Sequence, residues 1–476
     1  MTKHPSLYID GTWLQTNSEE TFWTVNPSTE EPFAEFGVAS VGDVDRAVAA
    51  AKKALPAWST SDKGTRSAAL SRILDAYEVR SEDLAVALAN EMGAPIDLAR
   101  ASQARSGANH LRAFIKALDA FHFVEPASDE VSGQEVLLEA VGVAALITPW
   151  NWPLNQITLK VGAALAAGCT MVLKPSEVSP LSGQIFAEIV DAADLPKGVF
   201  NLVHGNGTVT GAALVAHPDV DVISFTGSTR AGIAISQAAA PAIKRVSLEL
   251  GGKSPSLVFA DADLEKAVKW TTSFCFNNTG QSCNAATRLL VERSVYDKAV
   301  EIAADVARNT RVDDAAIAGD HIGPLSSKTQ FDKVQGCINQ ALDEGVKLVA
   351  GGAGRPEDKQ RGFFAKPTVF VDVTAEHSIF RDEVFGPVLA ITPFDNEEQA
   401  IELANDTVYG LSAYIHTGDA ARGRRVARQV RAGMVQLNGS SRAPGTPFGG
   451  YKQSGNGREG GRWGIEEFLE VKLVAG

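Results

Sequence analysis

Residues 220–232 read VDVISFTGSTRAG, and the fold turns on how that stretch is parsed. VDVISF (220–225) is a short, nearly continuous apolar run with strand character, and Gly227 opens a turn into a helical segment that continues through Gly232. Backbone N–H groups at such a turn, together with the positive end of the helix dipole, can hold an anion. In isolation the plainer reading, an ordinary strand-to-helix connection, is the better one. The surroundings decide.

Similar apolar runs recur on both sides, at 141–147, 170–174 (TMVLK), 199–203 (VFNLV) and 244–250 (KRVSLEL), with helix-like segments between them at 157–167, 180–192, 208–216 and 229–239. Strand-helix alternation with near-continuous apolar strands implies a parallel sheet covered on both faces, with ligands at the carboxyl ends of its strands. Upstream, DVDRAVAAAKKAL (43–55) puts Val44, Ala47, Val48, Ala51 and Leu55 on one helical face, and residues 65–91 continue in that style. A second α/β alternation follows Gly251-Gly252, with strand candidates at 256–260, 288–292, 367–372, 387–394, 411–416 and 433–438, and a polar surface loop at 351–362. Two pieces fit neither alternation, 122–140 and the end of the chain (464–476), and suit strands for subunit contact.

At 476 residues the chain is long for one core, and a prior of about 150 residues per domain gives two or three domains. Lys+Arg total 44 against 57 Asp+Glu, a net charge of −13 with no basic stripe, which argues against a nucleic-acid partner. Cys169, Cys275, Cys283 and Cys337 form no C-x-x-C pair and no Cys/His cluster, so no metal site is expected. Four thiols in so long a chain point to a reducing compartment. The N-terminal MTKHPSLYIDGTW lacks a signal-peptide core, and the most apolar run, VGVAALI (141–147), is far short of the ~20 residues that span a bilayer. A cytoplasmic protein without membrane contact is expected.

The one G-x-G-x-x-G match, Gly455-Asn-Gly457-Arg-Glu-Gly460, follows FGGYKQS rather than a strand, so it reads as a glycine-rich loop and not a pyrophosphate cradle. Cys283 is unusual in another way: it lies in a run of small polar residues, NNTGQSCNAATR (277–288).

Around these stand ITPWNWPL (147–154), VLKPSE (172–177), LELGGKSP (248–255) and EVFGPV (383–388). With FTGS, GQSC (280–283) and PFGGYKQSGNGREGG (447–461), they resemble the motif set of the aldehyde dehydrogenase superfamily, of the NAD(P)-dependent, hydrolytic, non-CoA-acylating type. The resemblance runs from a first strand, LYIDGTWL (7–14), to a last, LEVKLV (469–474). It implies a Rossmann-type cofactor domain (1–121 and 141–250), a second α/β catalytic domain (251–450) and a small β element for oligomerisation or bridging (122–140 and 451–476). It implies a homodimer or homotetramer.

By that resemblance Cys283 is the nucleophile that adds to an aldehyde, giving a thiohemiacetal and, after hydride transfer, a thioester. Glu249 matches the general base for thioester hydrolysis, and Asn151 the amide that, with the Cys283 N–H, receives the oxyanion. Gly227 and Ser228 correspond to pyrophosphate contacts, Gly207 and Gly211 to the adenine side, and Lys174 and Glu177 to the adenosine ribose. A carboxylate at Glu177 accepts a 2′-hydroxyl hydrogen bond and repels a 2′-phosphate, favouring NAD, with NADP as the alternative. Glu383 and Phe385 match the nicotinamide ribose and ring contacts, and Ile147 and Trp150 the cofactor cleft. Lys160 matches a lysine that relays protons from the base, or forms a structural ion pair. Cys169, Cys275 and Cys337 read as packed thiols.

Trp152, Leu159, Phe276, Ser282 and the 438–448 loop (NGSSRAPGTPF) are expected walls of the aldehyde channel; they suit a medium or hydrophobic aldehyde. Arg442 is the exception, since a guanidinium can bind the distal carboxylate of a semialdehyde. Alternatives are an NADP-preferring semialdehyde dehydrogenase, and a catalytically silent structural or binding member of the fold, against which the intact Cys283, Glu249, Asn151 set speaks. A thiol protease or acyltransferase is weaker still, because no histidine lies in a motif near Cys283.

Overall fold

A computed structural model describes residues 2–4, 7–128 and 133–475. The opening stretch forms the strand Val222–Thr226 and the helix Thr229–Ala239, joined by Gly227 and Ser228. The strand sits inside a seven-stranded sheet ordered Arg245–Glu249, Val222–Thr226, Val143–Ile147, Thr170–Lys174, Phe200–Val203, Leu7–Ile9, Thr12–Leu14. The first five are mutually parallel. Their order in the chain reverses at Val143–Ile147, which pairs with Val222–Thr226 on one side and Thr170–Lys174 on the other. That reversal opens a crevice at the carboxyl ends of the strands, as doubly wound sheets require.

Side chains alternate across this sheet with period two. Ala144, Leu146, Met171 and Leu173 enter a core with the helices Lys63–Val79, Arg105–Asp119, Pro153–Ala167 and Pro180–Ala192. Val143, Ala145, Ile147 and Val172 enter a second core on the opposite face, with Val44, Ala47, Val48 and Ala51 of the helix Val41–Ser59. Burial on both faces is why these strands read as unbroken apolar runs.

Two local expectations change. LYIDGTWL is not one strand but a hairpin, Leu7–Ile9 and Thr12–Leu14, turned by Asp10 (φ 50°) and Gly11 (φ 70°); two successive positive-φ residues are what a tight two-residue hairpin needs. The 208–216 helix begins as a π-helical turn, Gly207–Gly211, before continuing as Ala212–Ala216.

The second seven-stranded sheet runs Lys347–Ala350, Thr368–Val371, Val388–Phe394, Arg288–Glu292, Pro255–Val258, Ser412–His416, Met434–Leu437. Only the Lys347–Ala350 edge, absent from the sequence reading, is antiparallel. The two outlying pieces meet in a three-stranded sheet, where Leu469–Ala475 pairs antiparallel with Gln134–Ala140 and the latter with Val124–Pro126. Residues 1, 5 and 6 of the 1–121 segment, 129–132 of the 122–140 piece and residue 476 lie outside the described residues. Among those described, no helix is long and apolar enough to cross a membrane.

Candidate active site

The Cys283 loop is built by backbone strain that its neighbours hold in place. The helix Leu264–Phe276 ends, and Asn278 (φ 53°), Thr279 (φ 57°) and Gly280 (φ 72°) all adopt left-handed backbone. Such conformations persist only where the surroundings fix them. Thr279 Oγ1 donates to Gly323 O (2.9 Å), Gln103 Nε2 to Asn278 Oδ1 (3.0 Å), and Ser326 N to Gln281 Oε1 (2.9 Å). A Cβ on Gly280 would stand 2.0 Å from Gly386 O, so glycine is required for this loop to lie against the Glu383–Pro387 segment. The polar run is therefore buried and cross-braced, and it presents the partly exposed Cys283 ahead of the strand Arg288–Glu292.

Asn151 is buried on the loop that follows Val143–Ile147, and its Nδ2 donates to Gln281 O (3.0 Å). Asn278 Nδ2 donates back to Asn151 O (3.0 Å), which ties the two loops together. Glu249 ends its strand buried, with both carboxylate oxygens lacking a hydrogen-bond partner among the described residues. Burial raises its pKa well above the carboxylate range, and the charge of Glu459 adds to that, while Lys160 and Arg458 oppose it. Three residues on, a Cβ at Gly252 would stand 2.3 Å from Cys283 O, so this segment also touches the cysteine loop.

Glu383 completes the ring: its Oε1 accepts from Gly252 N (2.9 Å), and burial raises its pKa. Burial is also the main reason the Cys283 thiol is pushed far up, with Glu383, Glu249 and Glu459 adding to it. A thiol in that state is protonated at neutral pH and slow as a nucleophile. Cys169 and Cys275 are fully buried, donate to Phe468 O (3.4 Å) and Val388 O (3.5 Å), and are pushed up to about 11 and about 12. They are packed thiols, as expected.

Lys160 is buried in an ion pair, its Nζ 2.7 Å from Glu459 Oε1 and 3.0 Å from Ser224 Oγ. Of its two readings, the ion pair is the contact formed. Glu459 belongs to the 455–460 loop, whose Asn456 N and Gly457 N both donate to Leu248 O (3.1 Å each). The glycine-rich loop thus lies along the edge strand that carries Glu249.

The candidate cofactor residues gather at the crevice. Trp150 and Phe385 meet edge to face at 5.5 Å, bringing one loop from each large sheet together. Lys174 is buried, its Nζ donating to Pro175 O (2.9 Å) and lying 3.5 Å from Glu177 Oε2. Gly211 lies against Lys174, and the space a Cβ would take at Gly207 is open. Ser228 caps the helix Thr229–Ala239 by accepting from Ala231 N (3.3 Å), leaving its first N–H groups directed at the crevice end of Val222–Thr226. Ile147 ends the strand at the reversal point, and beyond it Thr148 Oγ1, like Thr226 Oγ1 on the neighbouring strand, is buried without a partner. Orphaned hydroxyls, open glycine surface and a helix N-terminus fit a dinucleotide with its pyrophosphate at the 226–229 turn. No group of three or more His, Cys, Asp or Glu side chains suited to a metal occurs among the described residues.

Several neighbours were not legible from sequence. Gln103 lies in a π-helical stretch, Ala99–Ala104, without a motif, and Glu459 was hidden in the discounted glycine loop. Tyr414, whose hydroxyl donates to Asn284 O (2.7 Å), read only as part of a strand.

A family model described as the aldehyde dehydrogenase family matches residues 13–474. A 3-succinoylsemialdehyde-pyridine dehydrogenase from Pseudomonas sp. is 47% identical over 100% of this chain and 99% of its own length. The crystal structure of an aldehyde dehydrogenase from Bartonella henselae matches with a TM-score of 0.98 at 50% identity, covering 100% of both chains. A mutant aldehyde dehydrogenase C from Pseudomonas syringae, solved with NAD+ and octanal, matches with a TM-score of 0.97 at 47% identity, over 99% of this chain and 96% of that one.

Proposed function

The chain belongs to the aldehyde dehydrogenase family, and we propose that it oxidises an aldehyde to a carboxylic acid with NAD+, using Cys283, Asn151 and Glu249. The observation that carries this is the convergence of three loops: Asn151 bonds the backbone two residues before Cys283, and Gly252, just past Glu249, abuts the Cys283 carbonyl.

As Cys283 gives its thiol proton to the Glu249 carboxylate, which releases it to solvent, the sulfur adds to the aldehyde carbon and the oxygen gathers charge. The Asn151 amide has two N–H bonds and spends one on Gln281 O, leaving the second, with the Cys283 N–H, for that oxygen. When bound, NAD+ accepts the hydride that leaves the thiohemiacetal carbon. The resulting thioester needs water, and Glu249 takes its proton; a carboxyl raised by burial is a stronger base than an exposed one. A base at this position favours water over coenzyme A as acyl acceptor, so the product is the free acid. Lys160 holds Glu459 behind the base and offsets its charge.

For the cofactor, Lys174 and Glu177 would hold the adenosine ribose, Gly207 and Gly211 would flank the adenine, and Gly227 and Ser228 would meet the pyrophosphate. Glu383, Phe385, Ile147 and Trp150 would hold the nicotinamide half. Glu177 selects NAD+ over NADP+ by repelling a 2′-phosphate. The division into a cofactor domain (1–121, 141–250), a catalytic domain (251–450) and bridging segments (122–140, 451–476) is supported by the two large sheets and by the small sheet of Val124–Pro126, Gln134–Ala140 and Leu469–Ala475. The small sheet exposes Val471 and Leu473, which supports a homodimer or homotetramer formed through it. Four free cysteines support a cytoplasmic setting.

The test is NADH absorbance from the purified protein with NAD+ and a panel of aliphatic, aromatic and carboxylated aldehydes. Turnover that vanishes in Cys283→Ala is expected. Silence across the panel defeats the reading, and full activity in Cys283→Ala defeats the choice of nucleophile.

A further inference from the structure

One wall near Cys283 carries polar groups that the oxidation leaves unused. In the 438–448 loop Ser441, Ala443 and Pro444 are exposed, but Arg442 is half-buried. The loop shape is fixed: Thr446 donates to Ala443 O through both N (3.2 Å) and Oγ1 (2.7 Å), and Gly439 and Gly445 turn it at φ 72° and 80°. The guanidinium lies over the Phe448 ring at 4.9 Å. Among the described residues it has neither an ion pair nor a hydrogen bond, and its Nε is buried without a partner.

A half-buried guanidinium without an ion-pair partner is costly to keep. Burial draws its pKa down, against the pull of Tyr414, Cys283 and Glu249, so the charge stands within range of the nucleophile. It also acts on His110, which burial and then Arg442 bring down to about 4, leaving the ring neutral near pH 7. Asn155 Nδ2 lies 2.9 Å from His110 Nε2. An amide nitrogen can only donate, so Nε2 accepts and the ring proton sits on Nδ1. That Nδ1 is buried without a partner. Trp152 Nε1, by contrast, is already committed to Ser282 Oγ (2.8 Å).

A Cβ at Gly445 would stand 3.4 Å from Ala113 Cβ, so this loop lies against the helix that carries His110. Arg442 Nε and His110 Nδ1 are both buried donors without an acceptor, and what they lack defines the ligand. We propose that the substrate is a semialdehyde, with its aldehyde carbon at Cys283 and a carboxylate at its far end bound by Arg442 with His110 Nδ1–H as second donor. This rests on the aldehyde-oxidising reading above and adds the substrate class to it. A wholly apolar aldehyde leaves both donors unpaired, which costs binding rather than being neutral.

The experiment compares kcat/KM for succinic, glutaric and adipic semialdehydes with butanal, pentanal and hexanal, pairing chain lengths, in wild type, Arg442→Gln and Arg442→Lys. The best acid is expected to exceed its neutral counterpart by about 10- to 100-fold, mainly through KM. That ratio collapses toward one in Arg442→Gln and returns in part in Arg442→Lys, which keeps the charge but not the planar fork. A wild-type ratio at or below one, or a ratio unmoved by Arg442→Gln, overturns the proposal while leaving the dehydrogenase reading standing. Absence of NADH from both series overturns both. The wild-type comparison requires no variant, so a variant that fails to fold leaves the test intact.

Discussion

Glu249 sits beside one buried ion pair, and the two members of that pair push its proton affinity in opposite directions. The charge of Glu459 raises the Glu249 pKa and that of Lys160 lowers it. Glu459→Gln removes a negative neighbour while its amide oxygen can still accept from Lys160 Nζ, now 2.7 Å from Glu459 Oε1. Lys160→Met removes the positive neighbour and strands Glu459. A nearby charge shifts a buried carboxyl by about 1–3 pKa units. Glu249 must be ionised to act as a base, so kcat rises with pH through its pKa. The acid limb of the kcat profile therefore moves down by about one unit in Glu459→Gln and up by a similar amount in Lys160→Met. Stability behaves differently: Lys160→Met leaves a buried carboxylate unpaired and costs about 3–5 kcal/mol, measured by denaturant unfolding. The assay is NADH absorbance at saturating aldehyde from pH 5.5 to 10. Shifts of the two limbs in the same direction, or no shift in either, would refute the electrostatic account of the base.

Other outcomes follow from the same geometry. In the cofactor-free enzyme the Cys283 thiol is protonated near neutrality, so its alkylation by iodoacetamide, read by mass spectrometry, rises about tenfold per pH unit below its pKa. Glu383→Gln removes the first of the carboxylates that hold the proton on and speeds alkylation at pH 8; an unchanged rate would remove Glu383 from that role. Gly280→Ala forces a side chain into a left-handed position against Gly386 O, and costs at least ~2 kcal/mol in denaturant unfolding along with most of kcat. Wild-type stability in that variant would show the two loops are not in contact. Glu177→Gln narrows the preference for NAD+ over NADP+ in kcat/KM, and an unaltered preference would show that the carboxylate does not discriminate.

What could be read in the sequence depended on how burial writes itself into residue order. TMVLK and RLLVE match their strands in full because both faces of those strands are covered, which leaves no room for polar interruption. The helices Pro180–Ala192 and Thr229–Ala239 were bounded correctly because proline and serine mark their starts. The strand Lys347–Ala350 was missed because an edge position leaves Lys347 exposed and Leu348 half-covered, which erases the apolar run. The strands Thr21–Asn26 and Glu31–Gly37 escaped notice because neither sorts cleanly by polarity: in the first Trp23 is exposed and Thr24 buried, and Glu31 and Glu35 interrupt the second. At the site, motifs named the residues that do chemistry, but not those that position them. Gln103 and Asn278 stand 175 residues apart, and Lys160 and Glu459 stand 299 apart. No local pattern can encode a contact at such separation.

The glycine-rich loop at 455–460 shows what a motif does and does not record. Its glycines are needed for close approach, the same physical requirement that a pyrophosphate cradle imposes. Here the approaching group is the protein itself. A Cβ at Gly455 would stand 2.0 Å from Leu248 O, and at Gly457 it would stand 2.4 Å from Ser247 Oγ and 3.3 Å from Glu249 Oε1. The nearby Gly449 would meet Glu249 Oε1 at 2.6 Å. By lying this close, the loop removes water from Glu249, and that desolvation is the largest cause of its raised pKa. The loop also carries Glu459, the largest charge contribution in the same direction. One segment thus both dries and charges the surroundings of the base. The glycines of this pattern bear on the chemistry by what their missing side chains allow to come near.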